Sequence, residues 1–167
     1  MILTLGVVTM SCAESPKQET KTNYADLTSQ YAKVQLTSDI SHLSDNEKQM
    51  LNYLYEIGGI MDEIFWTQNF GGDKETFLNS IEDKDARLFA EINYGPWNHF
   101  DNLASFLPEY GAMPAGAGFY PADMTKEEFE AWDNPDKTSQ YTLITRDENG
   151  KLQAVWFHEA YAEQINK

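Results

Sequence analysis

Apolar residues recur at helical spacing most clearly behind Ser44. Met50, Leu54, Ile57, Met61, Ile64 and Phe65 follow a 3.6-residue repeat through "QMLNYLYEIGGIMDEIFWTQNF". The run carries its own start signal, because "SDNE" places Ser44 at the N-cap and Glu47 three residues on, the pair of a capping box. Gly71-Gly72 stops it after about Asn69. Gly58 and Gly59 interrupt the middle, where each costs about 1 kcal/mol relative to alanine. That cost predicts an element packed closely against the backbone there.

A second helical stretch, "DKETFLNSIEDKDARLFAEI", reads as one helix or two short ones. From Asn93 to Asp123 the period disappears into Gly, Pro and aromatic residues, too apolar for a solvated linker. Thr125 and Glu128 repeat the capping-box spacing ahead of a short helix in "MTKEEFEAW". Tyr141 and Leu143 alternate with their neighbours as in a strand. Asn149-Gly150 is a two-residue hairpin signal, and Leu152 to Phe157 forms the returning strand. A helix then begins near His158, and a further short strand is expected near Val34. The pattern predicts an α+β fold, mainly helical with a C-terminal β-hairpin. A lone hairpin is marginal in water and no cap signal follows the last helix, so these elements predict part of something larger.

Composition adds two constraints. Acidic residues outnumber basic ones 27 to 12, for a net charge of -15, which speaks against nucleic acid as a partner. With 41% hydrophobic and 13% aromatic residues the chain is not of disordered composition. Its single cysteine rules out an internal disulfide. "MILTLGVVTMSC" is an apolar run that ends in a small residue and then Cys12, followed by a polar stretch. That is the shape of a bacterial lipoprotein signal, with Cys12 as the lipid attachment site. It lacks a preceding Lys or Arg, and Thr9 stands where an aliphatic residue is usual. The competing reading is a buried N-terminal element with an incidental cysteine. The lipoprotein reading divides the chain into a signal segment (1–12), a polar tether (13–30) and a globular part (31–167). It places the protein outside the cytoplasm, anchored by lipid to the periplasmic or outer-membrane face of the envelope.

Candidate chemistry is sparse. His158-Glu159 starts like a zinc-hydrolase HExxH motif, but Ala162 and Glu163 stand where a second histidine would have to be. His42 and His99 are the other histidines. No nucleophile elbow is present, and "GAGFYP" lacks the Lys-Ser/Thr of a phosphate loop. Asn93, Tyr94, Trp97, Phe119, Tyr120 and Asp123, with Asn98, are candidate lining for a peptide cleft, or else core and loop-packing residues. No complete catalytic constellation and no metal-ligand set can be assigned.

"INYGPWNHFDN", "PAGAGFYPADMTKEEFEAW", "SQYTLITRDENGKL" and "FHEAY" together resemble the N-terminal part of bacterial dipeptidyl peptidase III, with "NYGPW" and "YPADMTKEEFE" the most specific portions. The resemblance runs from about Tyr31 to the C-terminus, and the lipoprotein-type start fits Bacteroides-like homologues. It implies kinship with zinc-dependent exopeptidases that release dipeptides from peptide N-termini. Such enzymes are two-lobed, with a peptide cleft between a helical zinc-bearing lobe and one containing a β-barrel. The family's zinc site is similar to HExxGH plus a later EExRAD-like segment, and neither occurs here. The resemblance therefore carries no zinc ligand onto any position of this sequence. It implies a chain that is inactive alone and whose partner is a missing C-terminal catalytic part. A second reading, independent of the family, is a small surface lipoprotein that binds peptides or glycans through the aromatic loop.

Overall fold

The computed structural model of the protein describes residues 22–167. The signal segment, Cys12 and the start of the expected tether lie outside the described residues. Helix α1 (Tyr24–Thr28) falls within the stretch expected as tether. It is held because Tyr24 and Leu27 pack on the core and the Tyr24 hydroxyl donates to the Phe106 carbonyl at 3.3 Å. Val34 and Leu36 are exposed and the chain around them has no strand, correcting the expectation there. Among the described residues no neighbouring strand offers it a hydrogen-bonding partner.

Helix α2 (Asp45–Phe70) begins and ends where its sequence signals stand. The Glu47 N–H donates to Ser44 Oγ at 3.4 Å and the Ser44 N–H to the Glu47 carboxylate at 2.8 Å, completing the capping box. Gly71 takes the left-handed conformation at φ 75° and donates to the Thr67 carbonyl at 2.9 Å. Two short helices follow, α3 (Lys74–Ser80) and α4 (Lys84–Asn93), each N-capped by an aspartate. Asp73 accepts from the Thr76 N–H, and Asp83 from those of Asp85 and Ala86. Helix α4 ends on Tyr94 at φ 53°, and the Gly95 N–H returns to the Ala90 carbonyl at 3.1 Å.

The core lies between the last turns of α2, α3, α4 and the aromatic loop, and contains Trp66, Phe77, Ile81, Ala86, Phe89, Ala90, Phe106 and Leu107. Its rings meet mostly edge to face: Phe89 and Phe106 at 4.6 Å, Phe77 and Tyr110 at 5.3 Å. Within the loop, β1 (Trp97–Asn98) and β2 (Ala104–Ser105) pair antiparallel, Trp97 opposite Ser105. Sequence periodicity could not register strands of two residues. Two 3₁₀ turns follow, Pro108–Tyr110 and Ala117–Phe119. The second rests on the end of α2, where a Cβ on Gly118 would overlap the Thr67 carbonyl oxygen.

Helix α5 (Lys126–Ala131) is capped by Thr125, whose hydroxyl accepts from the Glu128 N–H at 3.1 Å. Only this half of the expected capping box forms, because the Glu128 carboxylate is turned to Arg146. Strands β3 (Thr142–Arg146) and β4 (Leu152–Trp156) pair antiparallel, Arg146 opposite Leu152. Asn149-Gly150 does close this hairpin, but in a longer loop than the expected two residues. Asp147 accepts from the Gly150 N–H through its carbonyl, and from the Asn149 and Lys151 N–H groups through its side chain. Helices α6 (Phe157–Ala160) and α7 (Ala162–Ile165) finish the chain. Tyr161 between them is buried and accepts from Gln68 of α2 at 2.9 Å. The architecture is α+β, with two small antiparallel sheets among helices. Among the described residues no helix is long and apolar enough to cross a membrane.

The expected close neighbour at Gly58 and Gly59 is not found: a Cβ at either position would meet nothing within 4 Å. This gives opposite expectations for two glycines. Gly118→Ala should destabilise the chain by roughly 1–3 kcal/mol, as overpacking against rigid backbone does. Gly58→Ala should stabilise it by up to about 1 kcal/mol through helix propensity. Urea unfolding of both variants checks the pair, and a neutral Gly118→Ala would show that the end of α2 yields.

Candidate functional site

The sequence-derived cleft residues fall in two separate places. Asn93, Tyr94 and Trp97 gather at the end of α4. Asn93 is buried; its side chain donates to the Phe89 carbonyl at 2.9 Å and accepts from the His99 N–H at 3.0 Å. Trp97 is buried, with its indole N–H donating to the Gly111 carbonyl at 3.1 Å. Asn98, in β1, accepts from the Phe100 N–H at 3.0 Å and holds the turn towards β2. Asn93 and Trp97 therefore serve the core rather than an open surface, since their polar atoms and faces are already satisfied inside it.

Tyr94 stays half-buried between α2 and α4. Its ring meets Phe65 edge-on at 4.6 Å, and its hydroxyl donates to Asp62 at 2.6 Å. That bond to a carboxylate, assisted by partial burial, holds the phenol above the usual tyrosine pKa. Asp62 also pairs with Lys74 at 3.3 Å, and the Lys74 ammonium lies 5.1 Å from the centre of the Trp66 ring. Beside Tyr94, a shallow depression of 350 Å³ is lined by Tyr31, Phe65, His99 and Phe100.

Phe119, Tyr120 and Asp123 belong to the second place. Phe119 packs on Phe157 at 6.3 Å, and Tyr120 on Phe129 edge-on at 5.8 Å. Tyr120 lines an apolar groove of 460 Å³ with Pro114, Ala117, Pro121, Met124 and Phe129. Asp123 is held by Arg146, a residue the sequence reading passed over. Arg146 donates through Nε to Asp123 at 2.9 Å, in fork geometry to both Glu128 oxygens at 2.7 and 2.8 Å, and to the Gly150 carbonyl. It thereby ties the loop, α5 and the hairpin together. With Arg87 it is one of two arginines in a chain of net charge -15, a scarcity that was the available signal.

Shallow aromatic surfaces of this kind offer binding area, and none presents an activated nucleophile. Among the described residues no histidine hydrogen-bonds a serine, threonine or cysteine side chain. Nor does any group of three or more His, Cys, Asp or Glu side chains stand close enough together to hold a metal ion. The three histidines occupy different surroundings: His42 beside Leu43 and Tyr55, His99 beside Asn69, and His158 beside Trp156 at 6.5 Å.

No family model matches the chain. Among solved structures, the fold matches a dipeptidyl peptidase III from Caldithrix abyssi with a TM-score of 0.74 and 32% identity, over 84% of this chain and 29% of that one. It matches dipeptidyl-peptidase III from Corallococcus sp. strain EGB with a TM-score of 0.73 and 25% identity, over 85% and 29% respectively. A curated protein, Nudix hydrolase 3 of Arabidopsis thaliana, is 28% identical over 62% of this chain and 18% of its own length. The resemblance carried by "NYGPW" and "YPADMTKEEFE" thus extends to the backbone, which resembles part of bacterial dipeptidyl peptidase III. The chain spans less than a third of the proteins it matches.

Hydrogen bonds from Arg146 hold the Asp123 and Glu128 carboxyls below their ordinary pKa values. A group lowered on folding contributes stability above its unfolded pKa and loses it as pH falls through the folded one. The clamp should therefore contribute fully at neutral pH and fail below about pH 4, the ordinary carboxylate range. Thermal melts from neutral pH downward should show Arg146→Gln less stable than the parent at neutrality, with the two converging in acid. A constant gap across that range would rule the clamp out.

Proposed function

We propose that this chain is the N-terminal portion of a zinc-dependent dipeptidyl peptidase III-like exopeptidase, a class that releases dipeptides from peptide N-termini. One observation carries the reading: the backbone follows solved dipeptidyl peptidase III structures over 84% of this chain while spanning 29% of the matched protein. In this reading the chain is scaffold. Its half-buried Tyr120 and Tyr94 contribute to the wall of a peptide cleft completed by further polypeptide. Zinc activates water in such enzymes, and the HExxGH and EExRAD-like segments that would hold it do not occur in this sequence, so in this reading the chain by itself is inactive.

The purified 167-residue chain should hold no stoichiometric zinc and should not hydrolyse a dipeptidyl-arylamide. Metal analysis alongside that assay checks both, and turnover by the chain alone would sink the claim of inactivity. We further propose export and lipid anchoring through Cys12, supported by the apolar run that ends there. Expression in a bacterial host with labelled palmitate should tag the parent and leave Cys12→Ala unlabelled. Equal labelling of both would refute the anchor.

A further inference from the structure

Helix α2 is packed along its last turns and bare along its first ones. Met50, Leu54, Ile57 and Met61 succeed one another at intervals of four, three and four residues, so they form one stripe with a mean spacing near that of a helix–helix seam. All four are large and apolar, and each is between 52% and 57% exposed. Tyr53 flanks the stripe on one side and Phe65 on the other, and both are also exposed. Gly58 borders it between Leu54 and Met61, in open space. About three turns of unpartnered apolar helix are far more than the scattered single apolar residues of an ordinary surface.

We infer that this stripe is a helix-docking seam, and that its occupant is an apolar helical face of the polypeptide corresponding to the rest of a dipeptidyl peptidase III-like protein. The inference rests on the function proposed above. Three observations select this occupant. The matched structures cover only 29% of their chains with this fold, so the larger share of each lies outside it. The four-three-four spacing lays these side chains in one continuous line along α2, a ridge beside which the apolar face of a second helix can pack. A second copy is disfavoured because each chain carries a net charge of -15 and the two would repel. Gly58 then finds its reason as a notch where the partner backbone comes close, which explains a residue that weakens the helix in isolation.

The test co-expresses this chain with the part of the Caldithrix abyssi protein that lies outside the match, and measures capture by affinity tag. The parent chain should retain that partner. The double variant Ile57→Asp/Met61→Asp should bind it roughly 30-fold or more weakly, as loss of central interface residues does. Its own urea midpoint should fall only slightly, because both side chains are largely exposed in the chain alone and the loss is confined to helix propensity. Gly58→Leu should weaken capture about tenfold while stabilising the isolated chain, a pair of opposite signs that a purely structural role would not produce. Capture unchanged in both variants overturns the seam and leaves the proposed function standing. Absence of capture by the parent chain overturns the occupant and counts against the proposed function as well. A dimer of this chain alone, abolished by the double variant, assigns the seam to a second copy and overturns the proposal.

Discussion

Trp66 and Phe70, one turn apart near the end of α2, meet rings from α3, the end of α4, β1 and the first 3₁₀ turn. Phe77 of α3 lies 6.4 Å from Trp66 and 4.4 Å from Phe70, and Tyr94 at the end of α4 lies 5.3 Å from Trp66. Trp97 of β1 and Tyr110 of the next turn both lie 6.2 Å from Phe70. Each such pair adds about 0.5–1.5 kcal/mol beyond simple burial, and each also prefers particular angles. Ring geometry therefore orients short helices that have few residues of their own with which to fix their directions. Helices α3 and α4, at 7 and 10 residues, fall below the length that is stable in isolation and depend on this packing.

The same helix end receives the loop and the C-terminus. Gly118 sits against the Thr67 carbonyl, and Tyr161 takes a hydrogen bond from Gln68. Beyond them a polar device takes over. Arg146 gathers Asp123, Glu128 and the Gly150 carbonyl, and so joins the loop, α5 and the hairpin. Lys137 does similar work at the end of α5, donating to the carbonyls of Phe129 and Trp132. In so acidic a chain, a few cations in fork or multi-carbonyl contact relieve repulsion while specifying connections.

Local chemistry made much of this legible. Ser44 with Glu47, and Gly71, mark α2 because caps and left-handed stops act within one turn of the chain. Asn149-Gly150 marks the hairpin for the same reason, although Asp147 lengthened its loop by offering its side chain to two N–H groups. The site was less legible. Asn93 and Trp97 have the residue types of a binding cleft, yet both are buried, because amide and indole groups satisfy a core as readily as a ligand. Arg146 went unnoticed, since its partners Asp123 and Glu128 stand 23 and 18 residues away.

What the sequence determined by itself was the bounds of α2, the start of α5, the hairpin, the α+β class and the resemblance read from "NYGPW" and "YPADMTKEEFE". These depend on capping, turn geometry and residue identity over a few positions. Tertiary structure alone decided which apolar residues are buried. Periodicity placed Met50, Leu54, Ile57 and Met61 on the same kind of stripe as the packed end of α2, and it cannot distinguish a stripe that is covered from one that is bare. Trp66 is buried and Ile57 exposed because burial depends on what lies opposite, a property of neighbours distant in sequence.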